Sequence, residues 1–330
     1  RAFTFTAEGK ERPFLNGPAE NGVQSPRLIL VTGKGGVGKT TIAAAMALAT
    51  SRRGLRTLVC ELKTQGRLSE HLGHTAVGSR LTQLEENLWA VNIAPIHAME
   101  EYGLLKLRFR TLYRLVFDNP LVKALVRFVP GMDDLLMLGK ICNHEREVDE
   151  QGSPEWDRII VDAPATGHGL SFFRLPKVIR DAVPSGNMHS ETAEMWALLS
   201  DPQKTKIHLV TLPEELPIEE TVELTDRLKN ELNLPLGRLI INGTPPALNQ
   251  GTEHLLNAID EEELVDSPEL QSLLRAGHIR LSQIQNARPS IERGQRIDPQ
   301  AVLLPKLQVG TLGRTHMELL ADSLVEAGVT

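Results

Sequence analysis

The 330-residue sequence has only two cysteines, Cys60 and Cys142, which lie in separate segments and form no metal-like pairing. That excludes a disulfide framework and fits a reducing compartment. No apolar run approaches the roughly 18–20 residues that a membrane-spanning helix needs. Residues 1–26 also lack the apolar block of a secretory signal, so a cytoplasmic location is expected. Positive charge is not in excess: 36 Lys and Arg stand against 42 Asp and Glu, a formal net charge of -6. That balance argues against a general nucleic-acid binder, and no nucleic-acid partner is expected. There is no internal repeat and no low-complexity tract. What is present, 41% hydrophobic and 24% charged residues, is the composition of a globular protein with ample material for a core.

The first 26 residues are polar and punctuated by Gly9, Pro13, Gly17, Pro18, Gly22 and Pro26, which reads as an extended arm. From Arg27 the pattern changes. Leu28-Ile29-Leu30-Val31-Thr32 is a short run of β-formers, a glycine-rich loop follows, and an alanine-rich helix is expected from Thr41 to Arg53. Further short apolar strands are expected at 57–60, 158–161, 207–211, 238–241 and 301–304, with helical patterns such as 219–231 between them. Short buried strands alternating with helices imply an α/β fold, a doubly wound and mostly parallel sheet covered on both faces. The block from 97 to about 147 departs from this rhythm. It is helical in pattern throughout and reads as an insertion subdomain within a single domain spanning 27–330.

Gly33-Lys34-Gly35-Gly36-Val37-Gly38-Lys39-Thr40 satisfies G-x-x-x-x-G-K-[ST] between an expected strand and an expected helix. Backbone N–H groups of such a loop turn inward around a phosphate. Lys39 neutralises the β- and γ-oxygens, and the Thr40 hydroxyl ligates Mg²⁺. The following helix adds its positive end, and Thr41 at its start is expected, with Gly33 to Thr40, to contact the nucleotide. ATP and Mg²⁺ are the expected ligands. Asp162 closes the 158–161 strand, where an acid would sit near the metal.

Lys34 makes the loop resemble the deviant Walker A signature of a P-loop ATPase group. In that group the additional lysine crosses a dimer interface to the partner's nucleotide. The resemblance implies a catalytic role for Lys34 beside Lys39 and Asp162, as an arginine finger acts elsewhere. Asp162-Ala163-Pro164-Ala165-Thr166-Gly167-His168-Gly169-Leu170, followed by Leu175-Pro176, is similar to the second switch of one branch. That branch comprises the arsenical pump-driving and tail-anchored-protein-targeting ATPases, and the chain resembles a single-domain, bacterial-type member. His168 is read as a switch-loop residue rather than a general base. The resemblance extends to Leu209-Val210-Thr211-Leu212-Pro213-Glu214-Glu215 and to Ile240-Ile241-Asn242-Gly243, and it implies that the Asn242 amide reads adenine. It also implies that Pro305 belongs to an adenine-side loop.

Two departures bear on activity. Where relatives carry a water-activating acid, this sequence is read as placing Lys63, a cation that cannot accept a proton, and Glu61 is the nearest carboxylate. ATP hydrolysis is therefore expected to be slow or partner-dependent. The Cys-x-x-Cys zinc clamp and the clustered thiols of arsenite-responsive pumps are both missing, so neither a zinc nor an arsenite site is expected.

The resemblance implies a homodimer or paralogous heterodimer whose ATP-driven closure remodels the helical insertion. Leu105, Phe109, Leu112, Val116, Leu121, Leu125 and Phe128, with Met132 and Met137, either form a surface for a protein client or bury one another. Burial is the commoner fate of such stripes. The stretch 181–200 is polar and offers little for a second groove wall. A partitioning- or septum-type regulator and a catalytically impaired, ATP-bound structural subunit are the alternative functions.

Overall fold

The computed structural model describes residues 26–62, 66–99, 131–258, 268–307 and 310–330. Strand β1 (Leu28–Gly33) is buried along its whole length. Leu28 and Leu30 enter the core on one face of the sheet, while Ile29 and Val31 enter the core on the other. This is why the strand reads as an uninterrupted apolar run rather than an alternating one. It lies between β5 (Arg158–Ala165) and β6 (Thr205–Thr211), with β2 (Thr57–Leu62) beyond β5. The sheet has eight strands in the order β3-β4-β2-β5-β1-β6-β7-β8, completed by β3 (Thr82–Glu85), β4 (Leu88–Ile93), β7 (Leu236–Thr244) and β8 (Val302–Pro305). Among the described residues, β3–β4 is the one antiparallel strand pair of this sheet. The expected doubly wound, mostly parallel α/β fold is the fold observed.

Helices cover both faces. α1 (Lys39–Arg52) is buried from Thr41 through Ser51, and its five alanines, Ala43, Ala44, Ala45, Ala47 and Ala49, let it lie close to the sheet and to the last helix. A helix enclosed on all sides needs no polar face, which explains its weak amphipathic pattern. α2 (Arg67–His71) is a single short turn after β2. On the opposite face α3 (Met132–Arg146), α4 (Thr166–Ala182) and α5 (Asn187–Ser200) pack together over Phe172 and Phe173, whose rings meet edge to face. α6 (Glu215–Asp226), α7 (Gln250–Ala258), α8 (Pro268–Ile297) and α9 (Arg314–Glu326) complete the described elements.

Several boundaries differ from expectation. β5 does not stop at Asp162 but runs through Pro164 to Ala165, and α4 begins at Thr166, so the second-switch sequence is a strand end joined to a helix start. The pairing of β1 with β5 is irregular between Val31 and Gly33, which accommodates the proline beside the loop. α6 starts at Glu215 and ends at Asp226, where a five-residue π-helical turn (Arg227–Glu231) takes over. The stretch 181–200, read as polar, contains α5, because Met195, Leu198 and Leu199 give it one buried face. Of the insertion, α3 is described, and Met137 is fully buried while Met132 packs against the core. Leu105, Phe109, Leu112, Val116, Leu121, Leu125 and Phe128 lie outside the described residues, as does the 1–25 part of the arm.

Candidate functional site

Parallel strands deliver their C-terminal ends to one edge of the sheet, and ligands of such sheets bind where neighbouring connections leave in opposite directions. β1 ends there between β5 and β6, and the 33–38 loop turns from it into α1. Gly33 has φ +152°, and a Cβ built on it would stand 2.1 Å from the Val210 carbonyl oxygen, so no side chain fits. Gly38, the residue before α1, has φ +94°. A Cβ there would stand 2.4 Å from Asn242 Nδ2. Val37 is buried, and its carbonyl accepts a 2.9 Å hydrogen bond from Asn242 Nδ2. Gly35 and Gly36 lie at the more open crest, and Thr41 is already inside the helix core.

Lys39 folds back over the loop, its Nζ donating a 2.9 Å hydrogen bond to the Lys34 carbonyl. Burial lowers the Lys39 pKa from its ordinary value, and the nearby Asp162 charge opposes that shift. Thr40 Oγ1 donates to Asp162 Oδ2 at 2.6 Å. The other carboxylate oxygen, Oδ1, is buried and has no hydrogen-bond partner among the described residues. Burial pushes the Asp162 carboxyl up to about 6 against the Thr40 hydrogen bond and the Lys39 charge, and Glu61 adds a further upward push. An orphaned buried carboxylate oxygen beside a hydroxyl is the donor set that suits a hard cation such as Mg²⁺, which takes few protein ligands and keeps substrate and water oxygens. Thr40 and Asp162 therefore fit the metal. Among the described residues no group of three or more His, Cys, Asp or Glu forms a metal cage.

The structure brings together the residues from Gly33 to Thr40, Asp162 and Asn242, and it leaves Pro305 one strand further out. Pro305 ends β8 in register with Thr244, two residues past Asn242 on β7. The Asn242 amide nitrogen is committed to the loop backbone, leaving its carbonyl oxygen for any further contact. Lys63 lies outside the described residues. Glu61 does not: it is buried, pairs in register with Asp162 across β2 and β5, and accepts a 3.2 Å hydrogen bond from Leu68 N–H near the start of α2. Lys34 makes an ion pair with Glu220 of α6 in its own chain, a contact that no sequence motif announces. Cys60 and Cys142 are both fully enclosed in the core, and burial pushes each thiol up to about 12.

A family model described as anion-transporting ATPase matches residues 26–185, from the start of β1 to just past α4. Over these residues the chain is similar to the anion-transporting ATPase family. The match covers the loop, Asp162 and the second-switch sequence. ATPase BagA of Mycobacterium tuberculosis is 29% identical over 310 residues, covering 90% of this chain and 88% of that protein. ATPase ASNA1 homolog 1 of Paramecium tetraurelia is 33% identical over 172 residues, 51% of this chain and 48% of its own length. ATPase ARSA1 of Chlamydomonas reinhardtii is 24% identical over 277 residues, 66% of this chain and 35% of its own. The likeness to ATPases covers the loop lysine Lys39, the Thr40 hydroxyl and the buried Asp162 carboxylate that the structure brings together. No helix among the described residues is long and apolar enough to cross a membrane.

Proposed function

We propose that this chain is an anion-transporting ATPase family member that binds Mg²⁺-ATP in its 33–40 loop and acts as a nucleotide-dependent dimer switch with slow or partner-dependent hydrolysis. The observation that carries the reading is the junction of loop and β5: Thr40 on Asp162, one carboxylate oxygen left orphaned, and Lys39 folded onto its own loop. A bound magnesium ion would neutralise phosphate charge there. Lys39 exchanges its backbone contact for phosphate oxygens, and loop N–H groups together with the start of α1 surround the β-phosphate. Asn242 braces the loop through Val37, and Pro305 is assigned to the adenine side. Lys34 is assigned to the partner protomer's nucleotide, where a lysine stabilises charge on the transferred phosphoryl group.

Slow hydrolysis follows from the acid that orients water. Lys63 takes its place in the sequence, and Glu61 is a buried carboxylate whose one described hydrogen bond comes from Leu68. Closure of two protomers is proposed to remodel the helical insertion that includes α3, with a protein client as its readout. Steady-state turnover of the purified chain and of Glu61→Gln tests the catalytic half. Turnover below about 1 per minute in the wild type is expected, under the usual enzyme range of roughly 1–10³ s⁻¹. Brisk turnover unchanged by Glu61→Gln would contradict it.

A further inference from the structure

Lys34 has two possible partners, and only one of them lies in this chain. Its Nζ is ion-paired with Glu220, 186 residues further along the sequence. The pair joins the crest of the loop to the second turn of α6. Both ends of that span are anchored to β6, because Gly33 lies against Val210 near the end of the strand and α6 begins soon after it. The contact is therefore built into the meeting of three elements rather than left to a wandering side chain.

The surroundings mark this as a surface that expects company. Leu216 lies one helical turn before Glu220, on the same face of α6. At 70% exposure it is the most exposed large apolar side chain among the described residues. Glu219, next to Glu220, is ion-paired at 2.7 Å with Arg293 of the 30-residue helix α8. The α6 segment thus holds the loop lysine with one carboxylate and the long helix with the next.

We propose that Glu220 is a latch that holds Lys34 within its own protomer and must be released before the lysine can reach across to a partner's nucleotide. This deepens the dimer-switch reading and rests on it. A lysine ammonium is a compact point charge on a flexible stem, so it is free to change partners, but its stem cannot span two distant acceptors at once. Both side chains of the pair are partly exposed, at 32% and 43%. Such pairs bias an equilibrium by no more than about fivefold, or ~1 kcal/mol. That is enough to disfavour closure without nucleotide, and triphosphate charge in the partner site readily outweighs it. Glu220 is accordingly a positioning residue, acting through Lys34 rather than on the nucleotide.

The test compares the full-length wild type, Glu220→Gln, Lys34→Ala and the double variant. In nucleotide-free protein at low salt, amine acylation read by mass spectrometry should modify Lys34 several-fold faster in Glu220→Gln. Added salt should shrink that difference, because a partly exposed pair is screened. Sedimentation with Mg²⁺ and a non-hydrolysable ATP analogue should then show Glu220→Gln dimerising at up to about fivefold lower protein concentration, with no such gain in the Lys34→Ala background. Equal acylation rates in wild type and Glu220→Gln would overturn the latch, as would a dimer weakened by Glu220→Gln, which makes Glu220 an acceptor for the partner. A wild type that binds the analogue but stays monomeric would overturn the dimer reading itself, and the acylation result separates the two failures.

Discussion

At the scale of single residues, the proposed site depends on backbone positions as much as on charged groups. Gly38 combines φ +94° with a would-be Cβ 2.4 Å from Asn242 Nδ2. Gly38→Ala should cost roughly 1–2 kcal/mol of backbone strain. It should also push Asn242 off the Val37 carbonyl, so nucleotide affinity should fall more than global stability does. Chemical denaturation and a nucleotide titration on the same variant check this, and an unchanged affinity would show that the Asn242 brace is unimportant. Most residues of this proposed site could be named from the sequence, because the G-x-x-x-x-G-K-[ST] pattern occupies eight contiguous positions whose types each have a reason. Glu220 could not. An ion pair formed 186 positions apart leaves no local pattern, and a glutamate on a helix face ordinarily means only solvent. Glu61 was half legible: the sequence offered it as the nearest carboxylate, but only strand pairing puts it in register with Asp162.

At the scale of elements, β6 carries an unusual feature. The pairing of β6 with β7 is irregular between Ile207 and Leu209, and there His208 Nδ1 accepts a 3.0 Å hydrogen bond from the Arg238 backbone N–H. An imidazole thus satisfies a main-chain donor at the irregularity, and only the neutral ring can do so. Burial, with Lys206 and Arg238 nearby, lowers the His208 pKa to about 3 despite the opposing Asp298 charge, and the accepted Arg238 N–H bond favours the neutral ring as well. The unfolded chain takes up this proton near pH 6.5 and the folded chain only near 3. Stability from this group is therefore full above about pH 6.5 and is lost progressively as pH falls toward 3. Denaturant midpoints across that range should drop more steeply for wild type than for His208→Asn, and parallel curves would contradict the assignment. The strands were readable from their apolar runs, whereas the extension of β5 through Pro164 was not, since proline argues locally against a strand. α5 was obscured likewise, its few buried residues hidden among polar ones.

At the scale of the whole molecule, one eight-stranded sheet with its main helices on two faces brings the ends of β1, β2, β5 and β7 to a common edge. The residues gathered there come from the loop, Glu61, Asp162 and Asn242, which are spread over some two thirds of the chain. The fold class was legible because alternation of short strands and helices leaves few topologies open. The proposed closure between protomers would be a property of two chains, and the sequence points to it only through Lys34. The proposed switch requires that the loop hold a magnesium nucleotide. The most direct test is an equilibrium titration of a fluorescent ATP analogue against wild type and Lys39→Ala, with magnesium and with a chelator. The account predicts saturable, magnesium-dependent binding to wild type. A charged hydrogen bond of about 1.5–3 kcal/mol should cost Lys39→Ala roughly 10- to 150-fold in affinity. Equal affinities for the two proteins, or binding indifferent to magnesium, would contradict it.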